Sequence, residues 1–156
     1  MGTLFKEGYD VFFDLWDRIS DQKKKKKRHL SEDLSAIASL LDGIIVKFKQ
    51  KEIPRREAKE LGGLIFNAKN LAAPFKKSYP ELAAVFDTQL VKVGSEMQIA
   101  DYYLEDEVRE DRLSDDKKNV VLSFTAQNQI NEACKEIERA AGVISAYSML
   151  FKQLGE

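Results

Sequence analysis

Between Leu34 and Phe48 the apolar residues fall at Leu34, Ile37, Leu41, Ile44 and Phe48, in alternating steps of three and four. Residues so spaced share one helical face, and the alternation is the seam of packed helices. The same spacing recurs in three later segments. One holds Ala58, Leu61, Ile65, Ala68, Ala72 and Phe75; the next holds Phe86, Leu90, Val93, Met97, Ala100 and Leu104; the last holds Ile130, Cys134, Ile137, Ala141, Ile144 and Phe151. A more broadly apolar helical segment, about residues 3–28, precedes them. The pattern predicts an all-α fold, an antiparallel bundle of four to five helices with heptad-like packing, with residues 1–156 as one domain.

Local signals place the boundaries. Ser31, followed by Glu32 and Asp33, suits a helix N-terminus, so a second helix is expected from there to about Lys51, after a loop near residue 29. Pro54 fits the first turn of a third helix, where its missing N–H costs nothing. Ser78-Tyr79-Pro80-Glu81 reads as a capping box opening a fourth, and Ser114 with Asp115 and Asp116 opens a fifth. Short connections make successive helices antiparallel, so the loops near 29 and 78 share one end and those near 52 and 113 the other. Gly43, Gly62, Gly63, Gly94 and Gly142 fall at a shared level, roughly 18–24 Å from the first end at ~1.5 Å per residue. Close helix approach, a bend, space for a ligand and coincidence all fit that level.

A hydrophobic fraction of 44% with 33% charged residues, three prolines and eight glycines suits a helix-rich globular chain rather than a disordered or many-stranded one. Cys134 is the one cysteine, which excludes an intrachain disulfide framework. With no signal-peptide pattern at the N-terminus, the expectation is a cytoplasmic protein in a reducing compartment. No stretch approaches eighteen apolar residues, so no transmembrane segment is expected. Gly2 does not open a myristoylation motif, because Lys6 stands where Ser or Thr is required.

Charge is segregated. Residues 1–80 hold seventeen Lys/Arg against eleven Asp/Glu, and residues 81–156 hold eight against fifteen. The densest cluster is Lys23, Lys24, Lys25, Lys26, Lys27 and Arg28, and the antiparallel topology brings Lys76 and Lys77 to the same end. At the opposite end Lys47, Lys49, Lys51, Arg55 and Arg56 face the acidic stretch Asp101 to Asp116, so that end neutralises itself.

Three functional readings follow. In the first segment Lys6, Asp10, Asp14, Asp17 and Asp21 share one polar arc, while Leu4, Phe5, Tyr9, Val11, Phe12, Phe13, Leu15, Trp16 and Ile19 fill the rest. That apolar arc spans roughly 200°, against roughly 100° or somewhat more for a core-facing stripe. A helix wedged between two neighbours explains it; so does a docking face, with Phe5, Tyr9, Phe13 and Trp16 as anchors for a protein partner or a second copy. The leading expectation is such a non-catalytic binding or self-assembling module. The second reading is polyanion binding, to nucleic acid or an anionic lipid surface, through Lys23 to Arg28 with Lys76 and Lys77. Solvation alone also accounts for such a run, and the acidic arc beside it opposes lipid headgroups. The third is Mg²⁺-dependent nucleotide hydrolysis, in which the helical pair Glu57 and Glu60 would join Asp101, Glu105, Asp106, Glu107, Glu110 and Asp111.

Other chemistries lack their residues. There is no Gly-rich phosphate loop, CxxC pair or GxSxG elbow. His29 is the single histidine, which excludes a Cys/His zinc cluster and a histidine-rich di-iron site. No cofactor is expected.

Overall fold

The computed structural model describes the backbone of residues 2–112 and 122–156, and the side chains of residues 22–106 and 122–156. Five α-helices follow one another: α1 Gly2–Lys49, α2 Arg55–Ala72, α3 Glu81–Ala84, α4 Leu90–Arg112 and α5 Phe124–Leu154. A π-helical turn, Val85–Gln89, joins α3 to α4, so these two act as one interrupted helix. The wider turn holds adjacent Val85 and Phe86 both in the core, between Leu82 and Leu90. The result is an all-α bundle in which α1 packs on α2 and α5, and α4 packs on α5.

The helices run up and down. Ser31 of α1 meets Ser148 of α5, Lys92 of α4 meets Glu136 of α5, and Arg55 of α2 meets Glu105 of α4. The seams supply the core as their spacing predicts. Leu34, Ile37, Leu41, Ile44 and Phe48 are buried, as are Leu61, Ala68, Ala72, Phe86, Val93, Ala100, Leu104, Ile130, Ile137, Ile144 and Phe151. Ala58 and Ile65 are half-buried at the edge. Each fully buried aliphatic or aromatic side chain contributes about 1.5–3 kcal/mol through its transfer from water.

The largest departure from the sequence expectation lies at residue 29, where no loop exists. α1 continues unbroken through Gln22 to Ser31. Lysine, arginine, glutamine and leucine all favour helix, and no glycine or proline interrupts them. Ser31 does not cap a new helix, because its hydroxyl is engaged across the bundle. Its Oγ donates to the Ser148 carbonyl at 2.7 Å, and Ser148 Oγ donates to the Ser31 carbonyl at 2.7 Å. This reciprocal pair is buried and fully satisfied, and it holds α1 and α5 together.

The ends are set by backbone chemistry. After α1 the Glu52 N–H reaches the Lys47 carbonyl at 2.9 Å and the Lys51 N–H the Phe48 carbonyl at 3.0 Å, with Lys51 left-handed at φ 63°. That is a Schellman closure built on a non-glycine residue. α3 begins at Glu81 after Pro80 as expected, but no side chain caps it, so the Ser78 capping box does not form. α5 begins at Phe124, where Ser123 Oγ accepts the Ala126 N–H at 3.2 Å. Ser114, the expected start, lies outside the described residues.

Gly43, Gly62, Gly63, Gly94 and Gly142 do not mark close approach, since a Cβ on any of them would meet nothing within 4 Å. The close approach occurs at Gly155, where a Cβ would sit 3.2 Å from both the Arg28 nitrogen and the Lys24 carbonyl oxygen. The end of α5 is thereby fixed against Lys24.

Candidate docking surface

At the basic end three aromatic rings close the core. Phe151 lies 6.0 Å from Phe75 and 5.3 Å from Tyr79, the latter edge-on at 71°. Lys27 Nζ sits 5.7 Å from the Phe75 centroid, so this lysine is half-buried over a ring while Lys23 to Lys26 and Arg28 are exposed. Lys76 and Lys77, directly after Phe75, are also exposed. The structure thus brings Lys23 to Arg28, Lys76 and Lys77 to one end. Among the described residues none of these cations ion-pairs with a carboxylate, whereas other surface charges do.

The level of this collar matters as much as its charge. α5 closes at Leu154 beside Lys24, and the turn between α2 and α3 lies beside Lys27. α1, however, starts at Gly2, more than twenty residues earlier. At ~1.5 Å per residue its first turns carry the helix on for roughly 30 Å past the end of α5. The side chains of Phe5, Tyr9, Phe13 and Trp16 lie outside the described residues.

At the opposite end three of the described cations are ion-paired. Lys47 pairs with Glu52 at 3.0 Å, Arg56 with Glu60 at 3.2 Å and Arg55 with Glu105 at 3.8 Å. Asp101 is half-buried, and among the described residues its Oδ1 has no hydrogen-bond partner. Burial, aided by Glu105 and opposed by Arg55, pushes its carboxyl above the ordinary aspartate range. A raised carboxyl pKa makes the ionised form a cost to folding at neutral pH, and that cost disappears as pH falls through the folded pKa. Among the described residues no three His, Cys, Asp or Glu side chains stand close enough to hold a metal ion. Glu60 is engaged by Arg56, and the acids Glu107 to Asp116 lie outside the described side chains. Cys134 is buried, which raises its thiol pKa and leaves the reactive thiolate scarce.

An open groove of about 520 Å³ runs along the surface where α1 meets α5 and is lined by Arg28, Ser31, Ser35, Ser39, Ser148 and Lys152 among others. The spacing of apolar positions gives no sign of it, because the contact at its base is made by serines. The signal was Ser148, standing where the α5 seam calls for an apolar residue between Ile144 and Phe151. Exposed large apolar side chains such as Phe66, Val91, Tyr102, Phe124 and Met149 are spread over several helices. Singly exposed residues of this kind are ordinary on a soluble surface. Among the described residues no helix is long and apolar enough to cross a membrane.

No known protein family, curated protein or solved structure matches this chain.

Proposed function

We propose that this protein is a non-catalytic helical-bundle module that docks a protein through the N-terminal half of α1, with Phe5, Tyr9, Phe13 and Trp16 as anchors. The observation that carries this reading is the continuity of α1 from Gly2 past Lys24, the level at which α5 closes. A helix with an apolar arc of roughly 200° gains little by standing in water, and aromatics bury large areas at low entropic cost. The four-helix portion supplies a rigid base, and the lysine collar marks its rim. A reducing, cytoplasmic setting fits the single buried Cys134.

The test is a Phe13→Ser/Trp16→Ser variant. Its helical content should be unchanged and the melting temperature of the bundle should stay within about 2 °C of wild type, while association with another protein chain, read by light scattering or cross-linking, is lost. A drop in melting temperature beyond about 5 °C would place these residues in the core and end the docking reading.

A second reading rests on the exposed collar, whose cations form no ion pair among the described residues. Lys23 to Lys26, Arg28, Lys76 and Lys77 form a site for a polyanion, nucleic acid or an anionic lipid surface, whose affinity falls steeply with salt. Replacing Lys23 to Lys26 with glutamine should remove that binding; unchanged retention on heparin would eliminate it.

A further inference from the structure

The buried positions of α1 fix which side of the helix faces its neighbours. Leu30, Leu34, Ile37, Leu41, Ile44 and Phe48 occupy that side. Counting back from Leu30, one repeated step of four reaches Lys26, and alternating steps of three and four then give Lys23, Ile19, Trp16, Phe12, Tyr9 and Phe5, which a straight helix of 3.6 residues per turn keeps on the same side. The seam of the bundle therefore continues in phase along the whole helix, interrupted only by two lysines at its neck. A seam of this length asks for a partner helix, and this chain's α5 ends at the neck.

We infer that the partner is a second copy of this chain, its α1 lying antiparallel along residues 2–19 so that Phe5 is level with Trp16 and Tyr9 with Phe12 of the second copy. This rests on the docking reading above and gives the docked protein an identity. Three observations select it. First, the seam is close to self-complementary: reversing it sets Phe5 and Tyr9 opposite Trp16 and Phe12, with Ile19 at the small Gly2. Second, the area suffices. Each copy offers five aromatics in this stretch (Phe5, Tyr9, Phe12, Phe13 and Trp16), and at roughly 150–250 Å² each their partial burial reaches the roughly 1,200–2,000 Å² of a stable interface.

Third, geometry and charge both reject the parallel pair. From Leu30 onward the seam side of α1 is already occupied by α2 and α5, so parallel helices would drive two bundles into each other. They would also stack Lys23 and Lys26 of both copies on one seam, flanked by Lys24, Lys25, Lys27 and Arg28. Antiparallel pairing places a bundle at each end of a shared rod. The two lysine runs then stand on the order of 40 Å apart at ~1.5 Å per residue, several Debye lengths in physiological salt. On this view the lysines choose the direction of pairing by forbidding the other one.

Light scattering on the full chain at micromolar concentration should give twice the chain mass, unchanged in about 0.5 M salt, since an apolar interface is not screened. A Phe12→Ser/Trp16→Ser variant should be monomeric with the bundle's melting temperature intact. Direction is read by a spin label at Gln22→Cys in a Cys134→Ala background. The antiparallel pair puts the two labels roughly 35 Å apart, a parallel pair within about 20 Å. A monomer at every concentration, a dimer confined to low salt, a dimer that survives the double substitution, or the short label distance would each overturn the proposal. A monomeric wild type whose hydrophobic dye binding still depends on Phe13 and Trp16 would overturn the second copy alone and leave the docking reading standing.

Discussion

The two halves of α1 carry one seam and have different surroundings. From Leu30 to Phe48 the seam is aliphatic apart from its last residue and is buried against α2 and α5. From Phe5 to Ile19 it is almost wholly aromatic and belongs to a stretch that runs on beyond α5. Between them stand Lys23 and Lys26, which are as helix-compatible as leucine but cannot be buried unpaired. Helix formation ignores that difference, because lysine loses little side-chain freedom in a helix. Core formation does not ignore it. A run of lysines thus ends a hydrophobic core without ending the helix that carries it.

Truncation at matched positions gives the largest expected contrast. Ile37→Ala should destabilise the bundle by about 2–5 kcal/mol in urea unfolding, through lost burial and the cavity left behind. Ile19→Ala, the same change on the same seam, should shift bundle unfolding by no more than about 0.5 kcal/mol while weakening self-association. Equal losses at both positions would erase the distinction between the halves.

Continuity at the neck is tested next. His29→Pro removes a helical N–H and clashes with the preceding turn, so it should cost about 3 kcal/mol or more. In the loop that local signals suggest near residue 29 the same change would be nearly silent, so circular dichroism with thermal melting decides between them.

The smallest effect sharpens how the buried half is held. Ser31→Ala removes a donor to the Ser148 carbonyl and should cost about 1–2 kcal/mol. Adding Ser148→Ala should cost less than the sum of the two single changes, because the hydroxyls also contact each other at 3.3 Å. Strict additivity would mean that each serine acts alone.

Much of this was legible along the chain. The seams name the core because three-four periodicity and burial express the same geometry; Leu34, Ile37, Leu41, Ile44 and Phe48 are all inside. The gathering of Lys23 to Arg28 with Lys76 and Lys77 was also legible, since it follows from antiparallel order alone. The loop at residue 29 was not. Ser31-Glu32-Asp33 has the chemistry of a helix start, and nothing nearby in sequence announces that Ser31 will bond Ser148 instead. Ser123, the cap that opens α5, was missed for a different reason: its bond to the Ala126 N–H is local, but no acidic residue follows it as Asp115 and Asp116 follow Ser114.

By itself the sequence determined which residues are helical, which face of each helix is apolar, and where charge accumulates, because these depend on neighbours three or four residues away. Tertiary structure alone decided that the Ser31 hydroxyl answers α5 instead of capping a new helix, that two serines clasp α1 to α5, and that the bundle closes at Lys24 against Gly155. Each of those outcomes depends on contacts between residues more than a hundred positions apart, and no local pattern encodes which distant group will answer a hydroxyl or stop a packed helix.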